Sequence, residues 1–295
     1  MISKFLDPKN DVAFKKIFGT QKNQDILVHF LNDVITFKDN GSIQKVTFLK
    51  TVQDPETAAS KTSIVDVLCE DEKGNRYIVE MQVAAEKGFE KRAQYYASKA
   101  YIAQAKAGSA YHDLKEVIFL AIADYVMFPE KKRYKSDHVI LDKDSLERDL
   151  KDFSFTFIEL PKFTKKIEEL SNVIEKWCYF FKYAEETKES DLERIIGSDT
   201  ILERAYNELN RFSWNEEELL TYDQAEKYQW AHMAAMEKKF EEGETKGKAE
   251  GRAESRAEGR AEQVREIARN SLKAGIAIAT ISAITGLSEE EINSL

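Results

Sequence analysis

The sequence predicts an α/β fold: a mixed sheet built in the order helix, three strands, helix, strand, followed by a helical region and a helical C-terminal tail. Three observations predict it. Apolar residues between positions 43 and 160 fall into short alternating or continuous runs, the pattern of strands. Apolar residues at 3.6 spacing lie before, between and after those runs, the pattern of helices. Short turns join the first three strands, which makes an antiparallel meander, whereas a helix joins the third strand to the fourth and brings it in parallel.

The elements follow in order. Asp11–Ile35 is helical through Val12, Phe14, Ile17, Phe18, Ile26, Leu27, Phe30 and Leu31, and Gly19 breaks it in two. Ile43–Leu49 alternates as a strand, and Ser63–Glu70 is a second strand rich in Val and Ile. Asp71–Asn75 carries turn chemistry before a third strand, Arg76–Val83. Phe89–Lys106 is a helix. Val117–Ala123 is continuously apolar, as a strand buried on both faces must be. Val139–Leu141 and Phe155–Leu160 are weaker strands. From Lys165 the pattern is helical, with segments at Glu168–Tyr183, Thr200–Arg211 and Glu216–Phe240.

Composition changes at Glu241. Up to Glu262 a four-residue unit repeats as GETK, GKAE, GRAE, SRAE, GRAE, with almost no large apolar residue. Each glycine costs a helix roughly 1 kcal/mol against alanine, and nearby Glu–Arg pairs recover part of it. A solvated helical linker is expected, either a plain spacer or a coiled-coil dimer segment. Short helices at Val264–Ala274, Ile278–Thr285 and Ser288–Leu295 close the chain, with Gly275 and Gly286 as C-caps. The expected organisation is therefore 1–165, a helical extension 166–240, a linker helix 241–262 and a small helical module 263–295.

A net charge of −9 excludes a wholly basic nucleic-acid wrapper but not an enzyme that docks through a local basic patch. Two cysteines, Cys69 and Cys178, make neither a disulfide framework nor a zinc ligand set. The opening residues lack a signal-peptide apolar region, and the longest apolar run, Val117–Phe128, is broken by Asp124 and too short to span a bilayer. A reducing, cytoplasmic setting without membrane contact is expected.

The chemistry sits in the second and third strands. Alternation points Ile64, Asp66 and Leu68 one way and Val65, Val67 and Cys69 the other; Ile78, Glu80 and Gln82 share one face of the next strand. A hairpin turning about Lys73 sets Leu68 opposite Ile78 and Asp66 opposite Glu80, with Cβ atoms about 4.5–5.5 Å apart. Two opposed carboxylates among apolar residues destabilise a sheet. The pair makes sense if a hard divalent cation, Mg²⁺ or Mn²⁺, neutralises both, with Gln82 positioning water on the same face. The alternative is a solvent-facing pair on an edge hairpin.

Asp66 followed by Glu80-Met81-Gln82 resembles the PD-(D/E)XK nuclease motif in an αβββαβ core, the restriction-endonuclease-like arrangement. More closely, DPKNDVAFKKIFG (Asp7–Gly19), SIVDVLCEDEKGNRYIVEMQ (Ser63–Gln82), RAQYYASKAYIAQ (Arg92–Gln104) and the GRAESRAEGRAE tail resemble the Rpn-type recombination-promoting nuclease and transposase family. The resemblance covers most of residues 5–165 and the tail. It implies that residues 1–165 form a nuclease domain, a metal-dependent endonuclease on double-stranded DNA linked to recombination or mobile-element transfer. Asp66 and Glu80 would then ligate Mg²⁺ or Mn²⁺. Gln82 departs from the superfamily lysine and can only orient water or phosphate, since an amide carries no charge.

Asp11 is either an extra acidic ligand or a helix N-terminal residue matched to the dipole. Lys15 is either solvated or in contact with phosphate. Arg92, Tyr96 and Lys99 share one face of the later helix and are candidates for the DNA backbone, though core packing of the tyrosines explains much of the same pattern. His29 reads as a satisfied core histidine and Cys69 as core. Two further readings compete with the nuclease. One keeps the fold as a catalytically weak or inactive binding and assembly module, which the net charge and Gln82 favour. The other takes the last helices as a helix-turn-helix DNA reader. Glu289, Glu290 and Glu291 would repel phosphate there, so a homodimer through these C-terminal helices is preferred.

Overall fold

Asp11–Phe18 (α1) and Gln24–Val34 (α2) form the two pieces expected around Gly19, which caps α1 by donating its N–H to the Lys15 carbonyl. The computed structural model describes residues 3–37, 41–53, 63–105 and 110–295. Asn10 caps the other end of α1, its side chain accepting from Val12 N–H, so the helix is held at both termini.

The strands are Val46–Phe48 (β1), Val52–Gln53 (β2), Ser63–Ile64 (β3), Val67–Asp71 (β4), Arg76–Gln82 (β5), Val117–Ala123 (β6), Lys135–Val139 (β7) and Phe153–Glu159 (β8). Six of them make one sheet in the order β1-β4-β5-β6-β8-β7. β4 and β5 are antiparallel, and the helix Phe89–Ile102 (α3) crosses over so that β6 runs parallel to β5, as the connection lengths require. The last residue predicted for α3, Lys106, lies outside the described residues. At the β4–β5 turn, Asp71 accepts from Lys73 N–H, Asn75 N–H and the Tyr77 hydroxyl, and Gly74 takes a φ of 86° that L side chains rarely adopt.

One correction bears on the site. The predicted second strand is not continuous: β3 pairs with β2 in a separate two-stranded sheet, and a bend at Val65–Asp66 precedes β4. The bend resets the alternation. Val65 packs with Leu68 and Ile78 on one side of the main sheet, away from Val67 and Cys69, while Ile64 is 60% exposed.

Each side of the sheet carries its own core. Val67, Cys69, Tyr77, Val79, Leu120, Ile122 and Ile158 pack beneath α1, α2 and two later helices, Val173–Tyr183 (α4) and Thr200–Glu208 (α6). Aromatic rings dominate there: Trp177 meets Phe30 at 5.1 Å between centroids, and Phe14 meets Phe18 at 5.0 Å. On the other side, Leu68, Ile78, Phe119, Ala121 and Phe157 pack against the small residues Ala93, Ala97 and Ala100 of α3. A further helix, Glu189–Ile196 (α5), lies within the stretch expected to be helical from Lys165 onward. His29 is satisfied by Asp33 and Asp199 but is one-third exposed, so it is not a core residue.

The chain divides into two compact units, Met1–Tyr228 and Gln229–Leu295. Helix Glu216–Lys273 (α7) runs through the glycine repeats without a break. Its root belongs to the first unit: buried Tyr222 accepts from Asp7 N–H at 3.0 Å, and Glu218 pairs with Lys16 at 2.6 Å. In the second unit, the end of α7 packs with Ile278–Thr285 (α8) and Glu289–Asn293 (α9) around Ala268, Ile281 and Ile292.

Candidate active site

β5 offers Glu80 and Gln82 at its carboxyl end, on the same face as Ile78. The β4–β5 ladder runs Leu68↔Ile78 and Val67↔Val79, as expected, and one more step would set Asp66 opposite Glu80. The bend at Asp66 replaces that ladder step by two side-chain bonds. Asp66 N–H donates to Glu80 Oε1 at 3.2 Å, and Met81 N–H donates to Asp66 Oδ2 at 2.9 Å. The two carboxylates are thus clasped to each other's strand, leaving Asp66 Oδ1 and Glu80 Oε2 on the site side.

Those remaining oxygens meet cations and an amide. Lys15 Nζ lies 3.9 Å from Asp66 Oδ1 and 2.6 Å from Asp11 Oδ1. The i,i+4 spacing of Asp11 and Lys15 puts both on one side of α1, at the edge of the buried stripe that holds Phe14 and Phe18. Gln82 Nε2 donates to Glu80 Oε2 at 2.9 Å, and its carbonyl accepts from Arg92 Nη2 at 2.6 Å. Arg92 also pairs with Glu86 and lies over the rings of Phe89 (4.8 Å) and Tyr96 (5.9 Å).

The electrostatics follow from burial. Glu80, only 3% exposed, has its pKa raised well above the ordinary carboxylate range, first by burial and then by the Asp66 charge. The Asp66 pKa is also raised, by burial first and then by Asp11, with the Met81 N–H bond, Lys15 and Arg92 opposing. The ionised form of each carboxylate is disfavoured by burial and by a neighbouring negative charge, and a positive charge placed beside the pair would offset both.

Of the residues singled out in the sequence, the structure brings Asp11, Lys15, Asp66, Glu80, Gln82 and Arg92 together, with Tyr96 beside Arg92. Lys99 instead lies over the Tyr95 ring at 5.7 Å. Arg92 turns inward as the partner of Gln82 rather than outward. Sequence reasoning passed over Glu86, which holds Arg92, and Lys9, which pairs with Asp124 at 2.7 Å at the end of β6. Asp124 N–H donates to the Gln82 carbonyl oxygen, so DPKND, noted for its resemblance, also braces the site.

Among the described residues no group of three or more His, Cys, Asp or Glu side chains is arranged to hold a metal ion. Asp11 is engaged by Lys15 and does not complete such a set. The Asp66–Glu80 pair alone fits the habit of Mg²⁺, which binds through one or two carboxylates and fills its remaining positions with water and substrate phosphate.

No curated protein and no solved structure matches the chain. A family model described as PD-(D/E)XK nuclease family transposase matches residues 8–239. A second, described as the C-terminal HTH domain of the Rpn/YhgA-like nuclease family, matches residues 261–295. The second match corrects the preference against a helix-turn-helix: the end of α7, α8 and α9 form that domain, even though α9 opens on Glu289–Glu291. The chain belongs to the PD-(D/E)XK nuclease family transposases, of the Rpn type.

Proposed function

We propose that this chain is a divalent-metal-dependent endonuclease that hydrolyses phosphodiester bonds of double-stranded DNA, in recombination or mobile-element transfer. The observation that carries the reading is the clasped pair Asp66–Glu80 at the carboxyl end of β5, within a chain of a nuclease family. Asp66 Oδ1 and Glu80 Oε2 would hold Mg²⁺ or Mn²⁺, which when bound activates water and stabilises charge on a phosphate. Lys15 offers a second positive charge beside Asp66, and Asp11 steers that lysine. Arg92 fixes the Gln82 amide so that its NH₂ meets Glu80. Tyr96 supports Arg92 from below.

In this reading residues 1–165 carry the chemistry, 166–240 extend and brace it, 241–262 form a linker helix, and 263–295 form the small helix-turn-helix module. Trp230, Met233, Met236 and Phe240 recur at helical spacing and are exposed on α7, which supports a homodimer through the C-terminal helices. Among the described residues no helix is long and apolar enough to cross a membrane.

A second reading, an assembly module with weak or no turnover, draws on one observation. Both ends of the Gln82 amide are already engaged, its NH₂ by Glu80 and its carbonyl by Arg92, which leaves a single N–H to orient water and no positive charge. Plasmid cleavage with Mg²⁺, with Mn²⁺ and with EDTA, compared between the unmodified chain and Asp66→Ala, separates the two. Metal-dependent nicking lost in Asp66→Ala supports the nuclease; no cleavage under any condition supports the module.

A further inference from the structure

The loop between β6 and β7, residues 124–134, carries Lys131, Lys132 and Arg133, the one run of three consecutive basic residues in the sequence. The chain as a whole is acidic, with a net charge of −9. All three side chains are exposed. Lys131 is near His138 at 3.3 Å and lies over the Phe128 ring at 5.0 Å, whereas Lys132 and Arg133 have no side-chain partner among the described residues.

The loop is built, not loose. Glu159, wholly buried, accepts Met127 N–H at 2.6 Å, Phe128 N–H at 3.0 Å and Lys162 Nζ at 2.7 Å; Lys162 also donates to the Phe128 carbonyl. A buried carboxylate with charged and backbone donors fixes the backbone leading to the basic run.

Its position follows from register. Glu80, Ala121 and Phe157 are partners across β5, β6 and β8, so they form one row on one face of the sheet. Phe128 packs on Phe157 edge-on at 5.4 Å. Two strand spacings and these two ring contacts put Lys131 within about 20 Å of Glu80, on the same face. A duplex of that length holds about six base pairs at 3.4 Å per phosphate of one strand. A duplex with one phosphate at Glu80 therefore meets the basic run with a neighbouring stretch of backbone.

We propose that Lys131, Lys132 and Arg133 are a phosphate-backbone docking surface for duplex DNA, which aligns the strand over the Asp66–Glu80 pair. The loop's carboxylates do not cancel it: Asp124 is taken by Lys9, and Glu130 stands alone against three cations. Contacts of this kind position a duplex without reading its sequence. The inference rests on the nuclease reading for its substrate but not for its measurement.

The test is binding of a fluorescein-labelled duplex to the full chain in EDTA, followed by anisotropy over a range of salt concentrations. Lys132→Ala/Arg133→Ala should raise the dissociation constant about tenfold or more and flatten the slope of log K against log salt by about 1.8, two phosphate contacts' worth. Lys132→Arg/Arg133→Lys should bind as the unmodified chain does. Under Mg²⁺ the alanine pair should raise KM for DNA. Equal affinity and slope in the alanine pair would overturn the proposal, even if the unmodified chain cleaves. A chain that binds with the expected slope and loses it in the alanine pair, yet never cleaves, would defeat the nuclease reading and leave the docking surface standing.

Discussion

The two faces of β5 are seven residues of one strand put to opposite uses. Tyr77, Val79 and Met81 face a core of aromatic and aliphatic side chains beneath four helices. Ile78, Glu80 and Gln82 begin in the second core and end in a cluster of charge beside Lys15 and Arg92. The difference arises where the partner strand ends. β4 covers β5 only back to Val67↔Val79, so beyond that step the exposed ladder is filled by the Asp66 side chain. Apolar burial is non-directional and tolerates exchange of shape; a polar cluster in the same strand depends on each bond.

Several substitutions would break or sharpen this contrast. The largest effect is expected on the polar face: Asp66→Ala should abolish Mg²⁺-dependent cleavage, and plasmid nicking at a rate equal to the unmodified chain would remove Asp66 from the chemistry. Next, Gln82→Ala frees Arg92 as well as Glu80 Oε2 and should lower turnover by about 10²-fold, the cost of one polar catalytic group. Lys15→Ala should act in the same direction if its charge serves the phosphate. Undiminished single-turnover rates in both would confine the site to the two carboxylates.

On the apolar face, Val79→Ala removes two fully buried methyl groups and should cost about 2 kcal/mol in urea unfolding while leaving cleavage per folded molecule intact. A loss of cleavage larger than the loss of folded protein would show that the two faces are not independent.

Glu80→Gln should do the reverse. Because burial and Asp66 raise the pKa of Glu80, the folded chain holds its proton more tightly than the unfolded chain, so stability falls as pH rises from the ordinary carboxylate range through neutrality. The amide is spared that loss. Its stabilisation should be absent in acid, grow toward alkaline pH and reach about 1 kcal/mol by thermal unfolding in EDTA; a constant difference across pH would mean that the carboxylate is not strained by burial. The smallest effect is expected from ending the chain at Phe240. That cut keeps Glu218 and Tyr222, and the first unit should unfold within about 0.5 kcal/mol of the full chain.

Local pattern was enough for much of the fold. Val117–Ala123 is a strand with the predicted bounds, because a run of seven apolar residues is short for a buried helix and suits a strand covered on both faces. Gly19 ends α1, the Asp71–Asn75 turn sets the Leu68↔Ile78 register, and the helical crossover makes β6 parallel, each a consequence of short-range sterics or chain length. The pairing of Asp66 with Glu80 followed from counting residues round that turn. What pattern could not reach was any feature set by partners distant in sequence. The bend at Asp66 exists because β3 pairs with β2 instead of the main sheet. Arg92 faces inward because Gln82 and Glu86 offer it acceptors ten and six residues away. Lys15 stands at Asp66 because Asn10, Lys16 and the root of α7 hold α1 in place. Period and turn chemistry act within a few residues and are written in the sequence; the aim of a charged side chain is decided by which charges the folded chain gathers around it.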